Sequence, residues 1–178
     1  AMVYAALKIL KFPREQVIGM AGILDSARMS HFICEKLGYG AGQIESSVMG
    51  GHGDAMVPLV NYSTVAGVSL PELLSKEDIE DIVTKTKNGG LQIVKLLETG
   101  SAYYAPAHAT SLMVEAILYN NKKIYPCSVM LDGEYDCKNV VSGVPVMLGS
   151  NGIEKIIELK LNEEQKELFA NSVASVQE

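Results

Sequence analysis

Three side chains of this 178-residue sequence have the types and spacing to move a proton on a small charged molecule. In the stretch SVMGGHGDAMVP, His52 stands among Gly50, Gly51 and Gly53. Backbone this bare lets a chain turn sharply and lets another group come close. Upstream, GILDSARM carries Asp25 and Arg28 three residues apart, a spacing that puts both on one face at the start of a helix. A carboxylate can accept from one imidazole nitrogen, fix the tautomer and stabilise the charged ring, while the other nitrogen exchanges a proton with a substrate. A guanidinium can hold a second carboxylate with two parallel hydrogen bonds, which an ammonium cannot do. Spacing alone leaves a plainer reading open, in which Asp25 caps a helix and pairs with Arg28 at the surface while His52 is a solvated turn residue.

The remaining candidates carry less chemistry. Gly38, Gly40 and Gly42 in LGYGAGQ follow a helical pattern, whereas a dinucleotide loop must follow a strand and open a helix. They read as a helix stop. His31 and His108 have no second histidine or cysteine at ligand spacing, which predicts structural roles and no metal site. No G-x-S-x-G string provides an acyl-transfer nucleophile. Cys34, Cys127 and Cys137 are odd in number and far apart, as expected of reduced thiols in a cytoplasmic protein. The net charge of −6 comes without a basic stripe, which argues against nucleic acid as a partner. No apolar run reaches the ~18 residues of a membrane span.

The elements that must position these groups follow from periodicity. AMVYAALKILKF, residues 1–12, already has helical apolar spacing at residue 3 without a capping residue before it, so the chain is expected to begin in mid-helix. QVIGMAG reads as a short buried strand, and the helix after it is expected to be capped by Asp25 or Ser26 and stopped at Gly38. IESSVMG and MVPLVNYSTVAG are β-rich and flank the His52 turn. A long helix capped by Ser75 contains Gly89-Gly90, which predicts a kink or break. A second helix follows over SAYYAPAHATSLMVEAILYNNK. Strands come next, with a hairpin turn at Asp132-Gly133, then NVVSGVPVMLG, GIEKIIELKL and a final helix capped by Asn162. The sum is one α+β domain over residues 1–178, with long helices packed on antiparallel strands.

The strings VIGMAGILDSARMSHFICEKLG, SSVMGGHGDAMVPL and GSAYYAPAHATSLMVEAIL, in this order, closely resemble the carboxyl-terminal domain of the lactate and malate dehydrogenase family. The resemblance runs through nearly the whole chain. It implies that His52 is the catalytic acid and base on a 2-hydroxy acid, that Asp25 is its partner, and that Arg28 anchors the carboxylate beside the reacting carbon. It also implies NAD as cofactor and a homodimer or homotetramer, with the glycines around His52 making room for substrate and nicotinamide. In the family a Rossmann domain with the main cofactor site precedes this part. The chain alone is therefore expected to be inactive. Ala102 stands where the family's lactate enzymes carry threonine. The smaller residue favours malate and oxaloacetate over lactate and pyruvate. Two alternatives remain: a lactate dehydrogenase domain, and a non-catalytic oligomerisation module.

Overall fold

The computed structural model describes residues 2–100 and 102–177, so Ser101 of the SAYYAP string lies outside the described residues. In chain order the elements are α1 (Met2–Leu10), β1 (Gly19–Met20), α2 (Gly22–Leu37), β2 (Ile44–Glu45), β3 (Val48–Gly50), β4 (Met56–Pro58), β5 (Thr64–Val65) and β6 (Val68–Ser69). They continue with α3 (Leu70–Leu73), α4 (Lys76–Leu97), α5 (Tyr104–Leu118), β7 (Lys123–Asp132), β8 (Lys138–Gly149), β9 (Gly152–Ile156) and α6 (Glu163–Gln177). All strand pairs are antiparallel, in sheets of order β1-β7-β8-β9, β2-β5-β6 and β3-β4. The α+β expectation agrees with this architecture.

The long hairpin β7–β8 is the platform. Val140, Val144, Val146 and Leu148 alternate along β8, the period of two that puts side chains on one face. With Cys127, Val129 and Leu131 of β7 they form a core that reaches Ala109, Met113 and Ala116 of α5 and Phe169 of α6. A second core joins Met29 and Ile33 of α2 to Val48, Met56, Leu70 and Ile82 of α4. Helix α2 serves both, since its first turn supplies Ile23 and Leu24 to the platform core. Each such fully buried side chain contributes roughly 1.5–3 kcal/mol relative to an exposed one. Rotation or sliding of α2 would disturb both cores together.

Four local readings change. Helix α2 begins at Gly22, with Ala21 at the N-cap and no side-chain cap, so neither Asp25 nor Ser26 caps it. The Ser26 hydroxyl instead accepts from the Val48 amide at 3.0 Å, and the Ser46 hydroxyl donates to the Ser26 carbonyl at 2.6 Å. The strand in QVIGMAG shrinks to Gly19–Met20, and that in GIEKIIELKL ends at Ile156. The Asp132-Gly133 hairpin is a longer connection containing a turn of 3-10 helix over Glu134–Asp136. Arg14 holds it, giving the Glu134 carboxylate bonds of 2.8 and 3.2 Å and the Met130 carbonyl one of 3.2 Å. Finally, α4 runs unbroken through Gly89 and Gly90. The expected ends at Gly38 (left-handed, φ 67°), Ser75 (accepting from Asp78 N at 3.2 Å) and Asn162 (accepting from Gln165 N at 2.8 Å) are all present.

Candidate active site

His52 sits on the tip that joins β3 to β4. The pairs Val48↔Pro58, Met49↔Val57 and Gly50↔Met56 carry the two strands out to it, and a bond of 3.1 Å from Gly51 N to Ala55 O closes the turn. The serine contacts between α2 and β3 fix the distance from this hairpin to the helix that bears Asp25. Through them, two residues 27 positions apart come to bonding distance, with His52 Nδ1 3.0 Å from Asp25 Oδ2. Arg28 Nη1 donates to Asp25 Oδ1 at 3.2 Å. Asp25 is 2% exposed. The plainer reading of a surface pair therefore fails, because a buried carboxylate needs both partners to offset its lost hydration.

Each group keeps a free functional edge. The His52 side chain is 64% exposed, and Nε2 has no hydrogen-bond partner among the described residues. Among the described residues Arg28 donates through Nη1 alone, which leaves Nε and Nη2 able to donate. The hydrogen bond to Asp25 is the largest influence on the imidazole and holds its pKa above the ordinary 6.5. Partial burial and the Arg28 charge pull the other way.

Gly50 and Gly51 line the cavity with their backbone, while the directions their side chains would take are filled by protein. A Cβ on Gly50 would stand 2.7 Å from Ser172 Oγ and 2.9 Å from Ala55 O, and one on Gly51 would stand 2.8 Å from Ala55 Cβ. What approaches these glycines is the protein itself. Gly53, at φ 68° with open space around it, serves the turn. The space in front of the ring is left instead by Gly90 of α4, whose absent Cβ would lie 3.7 Å from His52 Nε2 and 3.5 Å from Arg28 Nη1. Gly89 similarly faces the Arg28 stem, 3.4 Å from Cδ.

A cavity of about 610 Å³ opens here, lined by Asp25, Arg28, His52, Gly90 and Ala102 together with Met20, Ala21, Lys87, Leu91, Val94, Pro106 and Ser128. All four residues singled out from the sequence thus face one space. Gly90, Leu91 and Val94 were not singled out; with Lys87 they recur at i, i+3, i+4 and i+7, the stripe one helix face presents. That periodicity was visible, but nothing in it says which face meets a ligand. Two further cavities, of about 600 and 690 Å³, contain no histidine. His31 and His108 lie on exposed positions, and no group of three metal-ligating side chains occurs among the described residues.

Met20, Ala21 and Leu24 give an apolar wall beside the imidazole. The Gly38–Gly42 run follows the end of α2 and opens no α-helix, only a turn of 3-10 helix over Ala41–Gln43.

A buried carboxylate, an exposed imidazole and a largely buried guanidinium share one cavity, and comparison with known proteins gives the chain a family. Residues 23–178 match the lactate/malate dehydrogenase, alpha/beta C-terminal domain family, and the chain belongs to it. Its similar relatives include the malate dehydrogenase of Aliarcobacter butzleri, 62% identical over 178 residues, covering 100% of this chain and 57% of the relative. The malate dehydrogenase of Sulfurimonas denitrificans is 65% identical over 176 residues, covering 99% of this chain and 55% of the relative. Among solved structures, malate dehydrogenase from Aeropyrum pernix superposes with a TM-score of 0.94 at 45% identity, covering 99% of this chain and 57% of that one. Lactate dehydrogenase from Eimeria maxima with NADH and oxamate gives 0.95 at 41% identity, covering 99% and 55%. The chain spans a little over half the length of the relatives it matches.

Proposed function

We propose that this chain is the substrate-binding and catalytic domain of an NAD-dependent malate dehydrogenase, interconverting malate and oxaloacetate. The observation that carries the reading is the imidazole backed by a buried carboxylate at 3.0 Å and facing, with Arg28, a common cavity. Arg28 holds the carboxylate next to the reacting carbon through its unused Nε and Nη2 edge, which fixes the hydroxyl or carbonyl carbon in front of His52. In oxidation, neutral His52 takes the hydroxyl proton on Nε2 as the carbon–hydrogen electron pair leaves. In reduction, the imidazolium returns that proton to the oxygen. Asp25 keeps Nδ1 protonated, so that Nε2 is the basic nitrogen, and stabilises the charge the ring gains. Positioned proton transfer of this kind contributes about 10²- to 10⁴-fold in rate. Met20 and Ala21 would hold the nicotinamide of a bound NAD, which would supply the hydride acceptor.

Ala102 lines the cavity and leaves volume for the second carboxylate of malate. The naming of the similar relatives as malate dehydrogenases supports the same choice. Exposed apolar side chains on α1 (Ile9), at the end of α4 (Leu96) and on α5 (Leu118) support a homodimer or homotetramer in which these helices are covered. No helix among the described residues is long and apolar enough to cross a membrane. The substrate is tested by steady-state reduction with the full-length enzyme and NADH. Oxaloacetate is expected to give a kcat/KM at least tenfold above that of pyruvate, and the reverse order would make it a lactate dehydrogenase.

A further inference from the structure

The histidine turn is held from two sides, and only one of them is α2. On the other side, Gly51 N donates to the hydroxyl of Ser172 at 2.8 Å, across 121 residues, in addition to its bond to Ala55 O. Ser172 is 1% exposed on α6, and its hydroxyl lies so close to the turn that a Cβ on Gly50 would stand 2.7 Å away. The bond to Ala55 closes the turn upon itself, whereas the bond to Ser172 ties it to a separate element. That element is firmly seated. Asn162 and Gln165 exchange bonds of 2.8 and 3.1 Å at its start, and Phe169 packs against the Tyr135 ring, with centroids 5.1 Å apart.

From this geometry we infer that Ser172 is a positioning residue for the acid–base step: it fixes the backbone immediately before His52 so that Nδ1 stays on Asp25 while Nε2 faces the cavity. The inference rests on the proposed dehydrogenase chemistry. It gives α6, which adds no side chain to the cavity beside His52, a defined part in catalysis. A ring on a glycine-flanked tip has little packing of its own to hold it, and a displacement of about 1 Å can cost about 10²-fold in rate. The Ser172 hydroxyl meets a backbone amide that a purely apolar residue would leave to the weaker 3.1 Å bond alone. Arg28 is on α2 and does not depend on this contact, so carboxylate binding and proton transfer should separate.

The test uses the full-length enzyme with Ser172→Ala, and Ser175→Ala as its counterpart. The Ser175 hydroxyl donates to the Ser172 carbonyl at 2.8 Å within α6, and no hydrogen bond runs from it to the turn among the described residues. Ser172→Ala is expected to lower kcat about tenfold with KM for oxaloacetate changed less than about twofold, a loss confined to the transition state. Nuclear magnetic resonance titration of the His52 ring is expected to move toward the ordinary value as its bond to Asp25 loosens. Asp25 and Arg28 of α2, Asp54 of the turn and Lys87 of α4 share the ring's cavity and are unaltered in both variants. Ser175→Ala is expected to leave kcat and the titration as they are. If Ser172→Ala does not accumulate as folded protein, Ser172→Cys, similar in volume but a weaker acceptor, carries the same test with a smaller loss of kcat expected. Unchanged kcat and His52 titration in the Ser172 variant, or equal losses in both serine variants, would overturn the inference. Failure of the dehydrogenase reading looks different, because it would leave the enzyme indifferent to replacement of His52 itself.

Discussion

Asp25 divides its two oxygens between two partners, Oδ2 to the His52 ring and Oδ1 to Arg28. Its bond to the ring is the main reason the imidazole titrates above 6.5. The sign of the pH dependence follows. Stabilisation from the charged ring is fully present below the ordinary value and is lost as pH rises through the raised one. Oxaloacetate reduction needs the imidazolium and should fall through the same range, whereas malate oxidation should rise. Asp25→Asn removes the influences that raise the pKa and leaves burial and Arg28, which lower it. The limb of the kcat profile for reduction is therefore expected to move to lower pH, with kcat reduced about 10²- to 10⁴-fold; a limb that stays in place would show that Asp25 does not set the ring's charge. Arg28→Lys keeps the charge but loses the fork. Its kcat/KM is expected to drop tenfold or more, at about 1.4 kcal/mol per decade, with NADH affinity by fluorescence titration unchanged. An unaltered kcat/KM would remove the anchor role.

At the scale of elements, α4 shows where sequence reasoning and packing part company. Two adjacent glycines predict a weak point because each costs about 1 kcal/mol relative to alanine in a helix. The helix nevertheless continues, because Gly89 and Gly90 lie where α4 crosses the Arg28 side chain and Ile82 is buried in the core beneath. Propensity is local, and the reason for these glycines is on another helix. Gly90→Ala should therefore help the fold and harm the site. Its Cβ would make ordinary contacts of 3.5–3.7 Å, so the helix gains about 1 kcal/mol and Tm rises about 2–4 °C. The added methyl sits between the imidazole and the guanidinium, and KM for oxaloacetate is expected to increase about tenfold. Calorimetry with steady-state kinetics checks both halves; a higher Tm with unchanged KM would place the substrate elsewhere. The cap of α2 was misread for a related reason. Asp25 has the right type for a cap but sits a full turn too late, where its carboxylate faces the histidine.

Across the whole molecule, the α+β class, the order of the long helices and main strands, and the four candidate residues that line one cavity could be read from the sequence. The family strings carried the site, since spacing alone could not distinguish a buried Asp25 from a surface one. What brings His52 to Asp25 was hidden in common residues: Ser26 and Ser46 clamp helix to strand, and Ser172 reaches the turn from the far end of the chain. None has a pattern that announces a partner. The same distribution spreads the site over the fold, with α2, the β3–β4 tip and α4 lining the cavity and α6 tied to the tip through Ser172. The most direct measurement is the single-turnover rate of oxaloacetate reduction by the full-length enzyme with His52→Asn, which keeps a smaller polar amide that cannot carry the proton. A fall of at least 10²-fold, with substrate and NADH still bound, is the expected result. A rate within about twofold of the unsubstituted enzyme would contradict the assignment of His52 as the acid and base.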